Sequence, residues 1–396
     1  MRLTLVLVAL VCLACNRPSD GTAVQPALRD EVRQDRPLPP SRPAQQKPQP
    51  TFRTAGTTFV GPTDQLFHWR GITAFRLAEF IATGREAQVA TYLDWATSQR
   101  LTVVRVLLTA QHLFKLSPEL GLKALPRLLD LAQARGLAVE AVALADTDGV
   151  SLDYDAYIRE VGRIAAEKGN AFVEIANEPG HPTQDRRLHD PAFVKRLADL
   201  VPERLAVALG SAEYAEGYTA GDYVTFHFPR GTRDWDHVYN LAKGASLVER
   251  VKKPVVSDEP IGAAAAFQPG RRDNDPARFA AAAVLTRLAG MGATFHYEGG
   301  LQGQIPTGRE VECLAAWRKG LALLDGVPLD GAFLEGDRLT DIANISGARA
   351  FARVSGSRAT LLVLNAGRGA SVKWKVGWKE VGRTAVPGVL LVTAKR

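Results

Sequence analysis

From about residue 59 to residue 325, short apolar runs alternate with longer stretches in which apolar residues recur at three- and four-residue intervals. The short runs, at 67–75, 102–108, 137–144, 172–176, 205–209, 223–228, 254–257 and 293–297, are rich in valine, leucine, alanine and phenylalanine, as strands buried on both faces are. The stretches at 85–99, 122–135, 154–168, 191–200 and 276–289 have helical spacing and fall between them. Eight strands alternating with helices predict an α/β chain folded as a (β/α)8 barrel over 59–325, with a doubly wound open sheet as the alternative. After residue 325 the pattern changes. Runs at 348–354, 358–364, 371–378 and 389–393 read as strands joined by Gly-containing turns, which predicts a small β-rich module over 326–396.

The N-terminal residues follow neither pattern. Arg2 precedes an apolar run from Leu3 to Ala14, broken only by Thr4 and closed by Cys15. A helix needs about 20 residues to span a bilayer, so residues 1–15 read as an export signal. Cys12-Leu-Ala-Cys15 resembles a bacterial lipoprotein processing site, although Cys12 stands where leucine is usual; Cys15 is the expected lipidation site. The expected location is the cell envelope, through a lipid anchor, with secretion or the periplasm as alternatives. Residues 16–58 are polar and proline-rich and read as a disordered linker. With Cys15 lipidated, Cys313 is the only other mature thiol, which leaves no disulfide framework and no cysteine metal site.

Composition then removes one class of partner. The chain of 396 residues is 46% hydrophobic, enough for a large core, and its formal charge is +7. Residues 1–58 hold eight Arg and Lys against four acids, so the remainder is near balance. No basic run is interleaved with aromatic residues, and nucleic acid is not an expected partner.

Two strand-like runs end alike: Ala171-Phe-Val-Glu-Ile-Ala-Asn-Glu-Pro179 and Lys253-Pro-Val-Val-Ser-Asp-Glu-Pro260. Proline cannot continue a ladder, so Glu178 and Glu259 stand at the carboxyl ends of their strands, where barrel enzymes carry their chemistry. A local reading competes, with Asn177 and Asp258 as helix caps ahead of a first-turn Glu-Pro. Counting back in twos from Glu178 places Ala176, Glu174 and Phe172 inside the barrel; counting from Glu259 places Ser257 and Val255 there. An interior Glu174 needs a partner, and Arg105 is the candidate, either as an interior ion pair or as a support that keeps Glu259 ionised. His227 lies in phase with Tyr223 and Thr225, as a core histidine or a site residue.

Val173-Glu-Ile-Ala-Asn-Glu-Pro179 and Val256-Ser-Asp-Glu-Pro260 resemble the fourth- and seventh-strand motifs of the clan A retaining glycoside hydrolases, of which glycoside hydrolase family 5 is one; the family within the clan is not identified. The resemblance covers roughly residues 66 to 325. It implies that Glu178 is the general acid/base, that Asn177 binds the sugar hydroxyl beside the scissile bond, and that Glu259 is the nucleophile of a double displacement. It also implies an arginine near the carboxyls at Arg105 and a contact to the nucleophile from the position of His227. The eighth strand departs from the clan. Where a tryptophan commonly forms the sugar platform, this chain has Phe295-His-Tyr-Glu298, so His296, Tyr297 or Glu298 is expected in its place. Trp69, Asp146, His181 and Trp235 are read as rim-loop residues able to stack on or hydrogen-bond a sugar, against surface or core roles. His181 and His189 lack a metal-like spacing, and neither metal nor cofactor is expected. The expected function is retaining hydrolysis of an oligo- or polysaccharide by a monomer. A non-catalytic, glycan-binding barrel lipoprotein is the alternative.

Overall fold

The computed structural model describes residues 51–210, 217–228, 235–260, 274–365 and 370–396. The export signal, Cys15 and most of the linker lie outside these residues.

Eight parallel strands form the central sheet: β1 (Arg70–Thr73), β2 (Val103–Leu107), β3 (Ala138–Leu144), β4 (Ala171–Ala176), β5 (Val207–Ala208), β6 (Val224–His227), β7 (Val255–Glu259) and β8 (Gly292–Phe295). Their order is β5-β4-β3-β2-β1-β8-β7-β6. The seam between β5 and β6 is joined by the amides of Asp222 and Tyr223, both of which donate to the Val207 carbonyl, at 2.6 and 3.3 Å. The sheet is a nearly closed (β/α)8 barrel. All seven residues of β3 are buried, because one face meets the barrel interior and the other meets the helices.

The surrounding helices are α1 (Leu77–Ala82), α2 (Glu86–Ser98), α3 (Pro118–Gln133), α4 (Tyr154–Lys168), α5 (Pro191–Ala198), α6 (Trp235–Asn240), α7 (Lys243–Val251), α8 (Pro276–Leu288), α9 (Glu298–Leu301) and α10 (Arg309–Ala322). Four begin on capping side chains: Ser117, Asp153, Asp190 and Asp275 each accept a first-turn amide, and in three cases proline follows at the first helical position.

Three short antiparallel strands, Arg53–Ala55, Thr58–Val60 and Leu66–Phe67, precede the barrel. They correct the expected linker, which overlaps them, and they place aromatic residues against the N-terminal end of the barrel. Phe52, Phe59, Trp69, Phe172 and Tyr223 pack there, with Phe59–Trp69 ring centroids 5.2 Å apart and Trp69–Phe172 4.8 Å apart. Gly71 makes room for this plug, since a Cβ there would come 2.7 Å from the Trp69 indole nitrogen.

The C-terminal module is β9 (Ala332–Glu335), β10 (Ala343–Ser346), β11 (Arg349–Ser355), β12 (Arg358–Leu364), β13 (Ser371–Trp374), β14 (Lys379–Val386) and β15 (Val389–Lys395). Five strands pair in the order β9-β11-β12-β15-β14, and β10 pairs with β13. Three of the seven were not expected; β14, for example, alternates with little apolar content and is mostly exposed. Arg353 ties the module to the barrel layer by donating to the Leu288 carbonyl of α8 at 2.6 Å.

Candidate active site

β4 and β7 carry the two strand-end glutamates. Past β4, the Asn177 amide still donates to the Leu144 carbonyl of β3 at 2.8 Å. The chain then turns, and Glu178 has φ of +43°. That left-handed conformation costs a non-glycine residue about 1–3 kcal/mol and persists only where its surroundings impose it. Here the Gln184 side chain donates to the carbonyls of Asn177 and Leu144, and the His181 amide donates to the Glu178 carbonyl at 2.8 Å. The Glu178 carboxyl is left at the rim, 24% exposed.

β7 does not keep the expected phase. Its pairing with β6 shifts register between Val256 and Glu259, as at a bulge. Val256 joins the aromatic layer, Asp258 turns to the interior ion pairs, and Glu259 faces the same interior. The expectation that Ser257 and Val255 point inward is therefore wrong: Val255 packs in the outer core. The bulge gives this strand two consecutive inward carboxylates.

Arg105 of β2 is fully buried and sits among them. Its Nε and Nη2 grip Glu174 at 3.1 and 3.2 Å, Nη1 donates to Glu259 Oε1 at 2.9 Å, and Nη2 donates to Asn177 Oδ1 at 2.8 Å. Nε also lies 3.2 Å from Asp258 Oδ2 and 3.5 Å from Glu140 Oε2. One guanidinium thus serves four carboxylates. His227 of β6 spans the remaining gap: Nδ1 is 2.9 Å from Glu178 Oε1, and Nε2 is 3.3 Å from Asp258 Oδ2 and 3.6 Å from Glu259 Oε1. His296, just past β8, has Nδ1 2.9 Å from Thr73 Oγ1 and Nε2 3.7 Å from Glu259 Oε2.

The acids outnumber the cations, and their protonation divides accordingly. Burial, reinforced by Glu174, pushes the Glu140 carboxyl well above the usual range. Burial likewise lifts Glu174 to about 7, against the pull of Arg105. Asp258 goes the other way: burial opposes its charge, but His227 and Arg105 outweigh it and hold it below the usual range. For His227, burial favours the neutral ring, yet Glu259 and Asp258 together raise it well above an ordinary imidazole.

The structure brings Glu178, Glu259, Asn177, Arg105, His227 and His296 together. Tyr297 points the other way, into the layer between barrel and helices, where its hydroxyl is 2.9 Å from that of Tyr92 on α2; strand alternation gives the inner position to His296. Glu298 opens α9. Trp69 is at the opposite end of the barrel, donating to Thr294 Oγ1 at 3.1 Å, because it precedes β1 and cannot reach the far rim. Trp235 packs under the β14–β15 hairpin, where a Cβ on Gly388 would come 2.8 Å from its ring. Asp146, in the loop after β3, holds the neighbouring loop after β2 by accepting the amides of His112 and Leu113 at 2.7 and 2.9 Å, and His181 is exposed with Nδ1 2.9 Å from Thr183 Oγ1.

The sequence reading missed Glu140 and the inward turn of Asp258. Counting in twos along β3 would have found Glu140, which shares a face with Ala138. No sequence signal marks the bulge. Donor atoms of Glu178, His227 and Glu259 lie within 4.8 Å of one another, as do those of Glu140, Glu174 and Asp258. Both ring nitrogens of the first set already face carboxylates, and the Arg105 guanidinium lies against the second, so hydrogen bonds and ion pairs account for both groups.

Neither a protein-family model nor a curated protein sequence matches this chain. Solved structures do match its fold. A glycoside hydrolase is 11% identical with a TM-score of 0.61, covering 88% of this chain and 97% of its own. A glycoside hydrolase family 5 protein from Bacteroides vulgatus ATCC 8482 is 12% identical with a TM-score of 0.57, covering 87% and 93%. A β-glucanase from Saccharophagus degradans, in complex with cellotetraose, is 13% identical with a TM-score of 0.52, covering 73% and 98%. At these identities the likeness is one of fold.

Proposed function

We propose that this protein is a retaining glycoside hydrolase that cleaves an oligo- or polysaccharide with Glu178 as general acid/base and Glu259 as nucleophile. One observation carries the reading: a carboxyl oxygen of Glu178 lies within 4.8 Å of one of Glu259, at the carboxyl ends of β4 and β7. Retaining enzymes hold their carboxyls about 5–5.5 Å apart, whereas inverting ones need about 6.5–9.5 Å to admit water. The barrel matches those of glycoside hydrolases, one of them holding cellotetraose, which supports a carbohydrate substrate.

In this mechanism Arg105 fixes Glu259 through Oε1 and keeps it ionised, while Oε2, on the side of His296, attacks the anomeric carbon. Glu178 protonates the departing oxygen. The glycosyl ester that forms removes the charge of Glu259, so Glu178 becomes the base for the incoming water. Asn177, held by Arg105, sits beside this line to take a sugar hydroxyl. The export reading belongs with this function: an enzyme tethered through Cys15 would meet glycans at the cell envelope. Incorporation of labelled fatty acid that is lost in Cys15→Ser would establish the anchor, and labelling that survives would exclude that site.

The central test is stereochemical. Purified protein is given a panel of aryl glycosides and polysaccharides, and the first-formed sugar is read by proton NMR; retention is expected, and inversion overturns the mechanism. Glu178→Ala with azide should give a glycosyl azide of retained configuration from substrates with good leaving groups. Binding without cleavage across the panel would establish a non-catalytic barrel instead.

A further inference from the structure

We infer that Asp258 is a positioning residue that acts through His227 to hold, on the Glu178–His227 pair, the proton that cleavage consumes. The geometry is a line of three groups. Glu178 Oε1 stands 2.9 Å from His227 Nδ1, and His227 Nε2 stands 3.3 Å from Asp258 Oδ2. Asp258 is fully buried, and among the described residues its Oδ1 has no hydrogen-bond partner, while Oδ2 faces the cations His227 and Arg105. An ionised carboxylate at this distance requires Nε2 to carry hydrogen, since two lone pairs would otherwise oppose each other. That assignment leaves Nδ1 to exchange a proton with Glu178. The pair then holds one transferable proton, on Nδ1 or on Oε1.

Other charged groups face this line from every side: Arg105 from β2, Glu140 from β3, Glu174 from β4, Glu259 from β7 and His296 beyond β8. Among them Asp258 has a distinct part. Glu259 also favours a protonated His227, but its charge disappears when the ester forms. Asp258 keeps its charge throughout, so Nε2 stays protonated and Nδ1 stays available.

The proton count closes over the cycle. In the first step the glycosidic C–O bond breaks, a bond forms from Glu259 to the anomeric carbon, and the leaving oxygen takes the proton of the Glu178–His227 pair. In the second, water attacks that carbon, the ester bond breaks to release the Glu259 carboxylate, and the proton lost by water returns to the pair. Asp258 neither gains nor loses a proton. The bulge in β7 is what provides it, because regular alternation would turn either Asp258 or Glu259 out of the interior.

The kinetic arm of the test rests on the proposed glycosidase reading; the spectroscopic arm does not. Histidine ring nitrogens of the isotope-labelled protein are followed by NMR against pH, with His227 assigned by its absence in His227→Gln. In the parent protein, Nε2 should stay protonated and His227 should titrate above an ordinary imidazole. In Asp258→Asn its titration should fall by about one unit or more. On glycosides that the parent cleaves, Asp258→Asn should move the basic limb of the kcat/KM profile to lower pH. It should also slow poor leaving groups by about 10–100-fold while good ones change little, because only the former need the proton. A merely structural role would slow all substrates alike and leave the limb in place. If Asp258→Asn does not fold, the parent spectrum still decides: a His227 whose Nε2 is unprotonated, or that titrates as an ordinary imidazole, overturns the inference. If the parent cleaves nothing, the glycosidase reading fails while the NMR result stands on its own.

Discussion

The N-terminal end of the barrel is filled by five aromatic rings, from Phe52, Phe59, Trp69, Phe172 and Tyr223, whereas one layer further along, two residues past Val103, Ala138 and Phe172 of β2, β3 and β4, the interior holds Arg105, Glu140 and Glu174. Phe172 and Glu174 are neighbours on one face of β4, and Tyr223 joins the two levels by donating to Glu140 Oε1 at 3.0 Å. The aromatic end gains free energy from buried area. The charged end costs it, since one arginine and two imidazoles stand among five carboxylates once Glu178 is counted. Rigid packing below thus holds the strands that carry the charges above, as preorganised sites on strands require.

This division can be broken from either end. Glu259→Gln should lower turnover by about 10⁴-fold or more, as loss of a covalent nucleophile does. Its melting temperature should stay near that of the parent, because the change removes one acid from a crowded set; a large loss of stability would show that Glu259 is a structural member. At the other end, Trp69→Ala should cost about 3–5 kcal/mol of stability by emptying the plug. Its kcat per folded molecule should be unchanged, which denaturant titration and active-site counting would check together.

A third change probes the boundary between the ends. Glu140 has its folded pKa raised above the unfolded value, so the stability it contributes is full below about pH 4.5 and is lost as pH rises through the folded value. Glu140→Gln, which mimics the protonated acid, should match the parent at pH 4 and then gain on it by at most about 1.4 kcal/mol per pH unit. Thermal scans from pH 4 to 9 that run parallel would show Glu140 to be ionised throughout. The smallest effect is expected at Tyr297→Phe, about 1 kcal/mol of stability for a lost buried hydrogen bond, with activity intact. Altered kinetics with that variant would place Tyr297 at the substrate after all.

Much of this arrangement was legible in the sequence for a physical reason. A strand buried on both faces must be apolar nearly throughout, so the few charges it carries stand out: Arg105 in β2, Glu174 in β4 and the strand-end Glu178 and Glu259. The direction of a parallel strand then fixes the end at which they lie. By the same rule Trp69, which precedes β1, belongs at the opposite end from the site. Asp258 was hidden because a bulge is decided by pairing with β6, which no single strand encodes. Strands such as β14 left little trace, since their side chains are mostly exposed.

The seam between β5 and β6 is built differently from the rest of the barrel. Every other neighbouring pair in the barrel shares a ladder of hydrogen bonds, but here two amides share the Val207 carbonyl, and the Val207 amide donates to a side chain, Asp222 Oδ2, at 3.0 Å. Among the described residues a few bonds around Val207 and Asp222 close the cylinder, so it is a rolled sheet held at its edge, and it opens there first. Amide exchange should therefore be fastest at Asp222 and Tyr223 and slowest in β2 to β4, so thermal motion enters the barrel along the side that carries His227, on β6, while Arg105 stays fixed on the far wall.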